Sequence, residues 1–207
     1  MWRPVDTLFY APKLPVAIAA IMDSTESVFI RTLLEQFNIV TLMHSVGTPG
    51  DFLQVIGQEI APPPYLIISA HGDDGGIVFG EYVEEIDVSS LEDEVMTPPV
   101  IAEAVRLPGT VIINTACSGG LPSAGKAFLR GGAKAYIAAD EDVSGEATAL
   151  FLVHFFHKLT KNPDTTVEAA WEHAASYDEE SRLYRLYTPE GLYKIGDYGL
   201  KRSLSAE

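Results

Sequence analysis

The strongest constraint on the fold is an alternation: short apolar runs, each followed by a stretch with helical periodicity. The runs are Pro15–Ile21 (PVAIAAI), 39–43, 65–70 (YLIISA), 110–116 (TVIINTA) and 133–139 (AKAYIAA). Runs this short that are apolar throughout read as strands buried on both faces. Helical patterns follow at 49–60, 98–105, 123–130, 144–159 and 165–177, and another begins after Asp23, with Val28, Leu33, Leu34 and Phe37 as its apolar face. Asp23 with Glu26, and Thr165 with Glu168, have the spacing of capping boxes. Residues 75–88 read as a hairpin, Ile77-Val78-Phe79 and Tyr82-Val83 flanking Gly80-Glu81. Alternation of this kind implies right-handed crossovers and a mostly parallel sheet covered on both faces. The expected fold is α/β: a three-layer αβα sandwich with a small hairpin insertion. In such sheets ligands bind beyond the carboxyl ends of the strands, so that rim is where chemistry is expected.

There is no internal repeat, and 207 residues suit a single domain over 1–207. The tail 184–207 carries Tyr184, Tyr187, Tyr193 and Tyr198; it reads as a segment packed on the sheet edge, or as one wall of a cleft. A hydrophobic content of 47% is enough for a sizeable core. The formal charge of −15 opposes nucleic acid and anionic membranes, since phosphate binding needs clustered Lys and Arg. It suits basic substrates, or simply solubility. The apolar run 14–22 is too short to span a bilayer and lacks the features of a cleaved leader. A single cysteine, Cys117, excludes an intrachain disulfide and a Cys-rich zinc site and fits a reducing compartment; the expected location is cytoplasmic.

Two strand ends carry unusual residues. The run 65–70 leads into His71-Gly72, and 110–116 into Cys117-Ser118-Gly119-Gly120. On neighbouring parallel strands, His71 and Cys117 would emerge side by side at one rim. A thiol where a strand hands over to a helix lies at that helix's positive end, a setting that favours thiolate. A nearby imidazole can serve a leaving amine at neutral pH. Gly72, Gly119 and Gly120 would let backbone amides approach a developing oxyanion.

These motifs resemble the caspase-like cysteine peptidases, the clan of caspases, legumains, gingipains, clostripain and separases. Its pattern is an apolar strand ending in His-Gly, then, roughly 50 residues on, an apolar strand ending in Ala-Cys followed by a small residue and Gly. Here YLIISAHG and VIINTACSGG place His71 and Cys117 46 positions apart. FLRGGAKAYIAADEDVSGEATALFLVHFFHKL and TTVEAAWEHA resemble downstream elements, so the likeness covers roughly residues 65–175. It implies a peptide-bond hydrolase with Cys117 as nucleophile, His71 as general acid and base, and the amides of Gly72 and Cys117 as oxyanion hole. It implies a peptide or protein substrate and no cofactor or metal. Ser118 stands where caspases carry Arg or a similar residue, and no basic pocket for an acidic residue is present. Members that cleave after Arg or Lys place a carboxylate in the specificity pocket; the candidates are Asp140, Asp73 and Asp74, with Ser118 as a further contact.

Other readings are available for the same residues. A domain with this fold can keep the pair and act as a non-catalytic interaction module. Gly120–Lys126 followed by Ala127 matches a phosphate-cradling G-x-x-x-x-G-K loop, with alanine where a magnesium-holding hydroxyl belongs. Residues 23–27 follow a strand as a flavodoxin-type phosphate loop does, but lack glycine and carry two acids, so helix capping explains them better. His154, His157 and His173 could be metal ligands; packing at a helix surface accounts for them more simply. His44 ends the second strand on the candidate rim.

Overall fold

The computed structural model describes residues 14–22, 24–162, 164–196 and 199–203, with backbone alone for Ser24 and 199–203. Asp23, and with it the capping box drawn from it, lies outside these residues. The parallel strands are β1 (Pro15–Ile21), β2 (Val40–Val46), β3 (Tyr65–Ser69), β7 (Val111–Asn114) and β8 (Ala135–Ala139). They adjoin in the order β2-β1-β3-β7-β8, and three antiparallel strands extend the sheet beyond β8: β9 (Tyr184–Thr188), β10 (Gly191–Gly196) and β11 (Gly199–Ser203). A second, three-stranded sheet comprises β4 (His71–Asp73), β5 (Gly76–Val78) and β6 (Val95–Met96).

Strand alternation divides the core between the two faces of the large sheet. Val16, Ile18, Ile67, Val111, Ile113 and Ile137 face one apolar cluster, which α1 (Ser24–Gln36), α5 (Gly145–Lys161) and α6 (Val167–Ala175) cover. Ala19, Ile21, Leu66, Ile68, Ile112 and Ala138 face the other, under α2 (Pro49–Ile56), α3 (Pro98–Ala104) and α4 (Pro122–Arg130). This is the expected three-layer α/β sandwich. The chain runs from β1 outward to β2, with α1 on one face, then back across β1 to β3 with α2 on the other. Right-handed crossovers require that change of face when the direction reverses. A topological switch point therefore lies between β1 and β3.

Local structure departs from the sequence expectation at several ends. Helix α2 starts at a capping box that was not anticipated: Thr48 Oγ1 accepts from the Asp51 amide and Asp51 Oδ2 from the Thr48 amide, both at 3.1 Å. Thr166, not Thr165, caps α6, accepting from the Ala169 amide at 3.2 Å. The hairpin lies a few residues earlier than 75–88. Asp73 Oδ1 accepts from the amides of Gly75 and Gly76, closing a tight turn between β4 and β5. Strand β5 then pairs with β6, while Gly80, in the left-handed region at φ 71°, breaks the chain before Tyr82. The tail begins as β9, buried against β8.

Candidate active site

Strand β3 ends at Ser69, and after Ala70 the chain opens the small sheet with His71. Strand β7 ends one position short of it in register, since Ile68 lies opposite Asn114, and the Thr115 amide donates to the Ile68 carbonyl at 2.9 Å. The two strand ends are in direct contact. A methyl group built on Gly72 would lie 2.6 Å from the Cys117 carbonyl oxygen and 2.7 Å from Ala116 Cβ, so only glycine lets these backbones approach so closely. His71 is exposed and Cys117 half-buried, and both line one cavity of about 280 Å3. Among the described residues, the Cys117 amide donates to no protein acceptor.

The loop after Cys117 is held from beneath. Ser118 has φ 54°, which a non-glycine residue adopts only where its surroundings impose it. Asn114 Oδ1 accepts from the Ala116 amide at 3.0 Å, and Asn114 Nδ2 donates to the Tyr136 hydroxyl at 3.0 Å. The Tyr136 hydroxyl donates to the Gly119 carbonyl at 2.7 Å; that of Tyr187 donates to the Gly120 carbonyl at 2.6 Å. Burial raises both phenols above their ordinary range, Tyr187 to about 12 with Asp140 adding to the shift, so both remain donors at neutral pH. Gly119 and Gly120 do not serve an oxyanion as expected, because their amides donate to the carbonyls of Ala116 and Ala139. Those bonds also remove the phosphate-loop alternative: with the Leu121 amide bonded to Ser118 as well, the loop offers no cradle of free amides.

A carboxylate stands in the same cavity. Glu26, in the first turn of α1, accepts at Oε2 from Ser69 Oγ at 2.5 Å and from Thr115 Oγ1 at 3.0 Å. Its sequence reading as a helix cap overlooked this, because the donors lie 43 and 89 residues away. Two signals pointed there: Glu26 follows the carboxyl end of β1, and Ser69 and Thr115 each stand two residues before a candidate catalytic residue.

The proposed substrate contacts lie on a neighbouring cleft of about 720 Å3, lined by Gly72, Asp73, Asp74, Ser118, Asp140, Glu141 and Asp142. Two of these acids already have partners. Asp140 Oδ2 accepts from Arg185 Nε at 2.6 Å, and the Asp73 carboxylate closes its own turn. His44 lies elsewhere, in a cavity along the β2 edge with Leu42, Asp51 and Leu66. The His154 ring lies 4.1 Å from that of Tyr177, tilted by 30°, and meets His173 edge-on at 5.6 Å on the outer helices. Among the described residues no cluster of three or more His, Cys, Asp or Glu is arranged to hold a metal, and no helix is long and apolar enough to cross a membrane.

No protein-family model and no curated protein matches the sequence. Solved structures do. The chain superposes on separase, from the Saccharomyces cerevisiae separase–securin complex, at a TM-score of 0.54 and 13% identity, over 85% of this chain and 12% of that one. A secreted C11 cysteine protease from Bacteroides thetaiotaomicron, in complex with an irreversible peptide inhibitor, matches at TM-score 0.49 and 11% identity, over 86% of this chain and 66% of that one. RgpB from Porphyromonas gingivalis matches at TM-score 0.49 and 14% identity, over 81% and 44%. The chain spans less than two thirds of each. In its architecture, then, this chain has the three-layer α/β fold of the caspase-like cysteine peptidases.

Proposed function

We propose that the chain is a cysteine endopeptidase working through Cys117 and His71. The observation that carries this reading is the contact of the two strand ends at Gly72, which leaves His71 and Cys117 on the wall of one open cavity. In the reaction the Cys117 thiolate attacks the scissile carbonyl carbon, and the carbonyl oxygen takes the negative charge. On this reading the amides of Cys117 and Gly72 take that charge, and the carbonyls of Gly119 and Gly120 in the loop after Cys117 are tied by Tyr136 and Tyr187. As the C–N bond breaks, His71 gives a proton to the departing amine, leaving a thioester on Sγ. Water then attacks the thioester, His71 accepts its proton, and the acid product leaves with the thiol restored. No cofactor enters this chemistry. Asp73, Ser118 and Asp140 line the open cleft along which a peptide would lie, and its surplus of acids favours a basic chain.

The test is the rate of Cys117 alkylation against pH, in wild type and in His71→Ala. The expected outcome is labelling at neutral pH faster than that of a free cysteine, slowed by at least about tenfold when His71 is lost. A curve that matches an ordinary thiol and ignores His71 would sink the dyad and leave a non-catalytic interaction module.

A further inference from the structure

We infer that β2 is an interface: two copies of this chain pair along it, antiparallel across a two-fold axis, so that one sheet continues into the next. This does not depend on the peptidase reading. Strand β2 is the last strand of the large sheet on the side beyond β1. The Val40 amide donates to the Leu14 carbonyl at 3.0 Å, so Val40 turns its backbone groups towards β1. Alternation turns Leu42 and His44 the same way and points the N–H and C=O groups of Thr41, Met43 and Ser45 outward. Among the described residues those outward groups have no backbone partner. Such a row is a template for another strand, and edges are usually blunted by charge or proline. This one is not. Val40–Val46 contains no Asp, Glu, Lys, Arg or Pro, while Leu42 is 64% exposed and Val40 41%.

The strand is complementary to itself. Pairing centred on Met43 sets it against the partner's Met43 and Thr41 against the partner's Ser45, so every outward donor meets an outward acceptor. A slip by two residues leaves groups at one end unpaired, and a slip by one turns the bonding groups of one strand away from the other. The contact is isologous and closes as a dimer. In this register Val40 lies opposite the partner's Val46 and Leu42 opposite the partner's His44, which covers the exposed apolar side chains of the edge. Charge selects a second copy here. The chain carries −15, which drives copies apart elsewhere, but along β2 no like charges are opposed. Glu35, which accepts from the Thr41 hydroxyl at 2.9 Å, is already paired with Arg31 at 2.9 Å. On the other face Leu42, His44 and Asp51 line one cavity of about 440 Å3. The partner's His44, arriving beside Leu42, brings an imidazole to the cavity that holds the Asp51 carboxylate. A basic strand would find no carboxylate in β2 itself. Because the paired strands run in opposite directions, the two carboxyl-end rims, and with them the two cavities at Cys117, open in opposite directions.

The experiment is sedimentation equilibrium of the full chain at about 100 µM and neutral pH, where the expected mass is twice that of one chain. Leu42→Lys replaces an exposed side chain and sets a cation against the partner's His44. It should raise the dissociation constant at least about tenfold without changing the circular dichroism. A cross-link reads the register. Directly opposed residues between hydrogen-bonded pairs of an antiparallel ladder have Cα atoms about 4.5 Å apart, within the range of a disulfide. Leu42→Cys and His44→Cys are each made in a Cys117→Ser background, which leaves no other thiol. On oxidation the two variants should cross-link when mixed and not when alone, since like positions lie on a diagonal about 7–8 Å long. A wild type that sediments as one chain would overturn the dimer and leave the edge to a strand of another protein. So would a dimer indifferent to Leu42→Lys, or a mixture that cross-links no better than either variant by itself.

Discussion

Gly72 shows how one atom can decide a site. Its Cα faces the Cys117 carbonyl so closely that a methyl group would force two backbones apart. Gly72→Ala should therefore cost about 1–3 kcal/mol of stability through overpacking. It should also slow Cys117 alkylation, because the displaced strand end carries His71. Gly145→Ala, where the added methyl meets open space, should do neither; urea melts and labelling rates of the two variants make the comparison. The His-Gly and Ala-Cys-x-Gly patterns were legible because each is local to one strand end. Glu26 was not. Its hydroxyl donors are distant in the chain, and an acid in a first helical turn has a sufficient local explanation as a cap. The partner of Asp140 was equally hidden, because Arg185 reaches it only through the pairing of β9 with β8.

At the level of elements, strands were easier to place than their ends. Buried parallel strands announce themselves by runs that are apolar on both faces, and β1, β3, β7 and β8 fall within the runs expected of them. Ends depend on which side chain reaches a free amide, and neighbouring candidates such as Thr165 and Thr166 differ by one residue. At α2 the structure resolves that choice with a complete capping box ahead of Pro49. Thr48→Ala should remove it at a cost of about 1 kcal/mol, read from the midpoint of chemical unfolding at unchanged m-value. The hairpin at residues 71–78 was displaced from its expected place because Asp73 accepts from two turn amides, a bond that composition alone does not reveal.

For the whole molecule, a net charge of −15 and a cleft rimmed by Asp73, Asp74, Glu141 and Asp142 form one continuous argument about substrates. For a basic peptide, KM should rise several-fold as salt goes from about 0.05 to 0.5 M, and for a neutral one it should hardly move, because the Debye length shrinks across that range. Equal salt dependence of the two would show that the field does no steering. The fold class, the layer order and the two strand ends at 71 and 117 were determined by sequence alone, since apolar periodicity dictates which segments must be buried and crossover handedness dictates how they connect. Only the tertiary structure decided the rest: that Gly72 meets Cys117, that Tyr136 and Tyr187 hold the loop beneath it, and that Glu26 stands in the cavity while Asp140 is paired. Each is a contact between residues far apart in the chain, and distances of that kind are set by how layers pack, which no local pattern encodes.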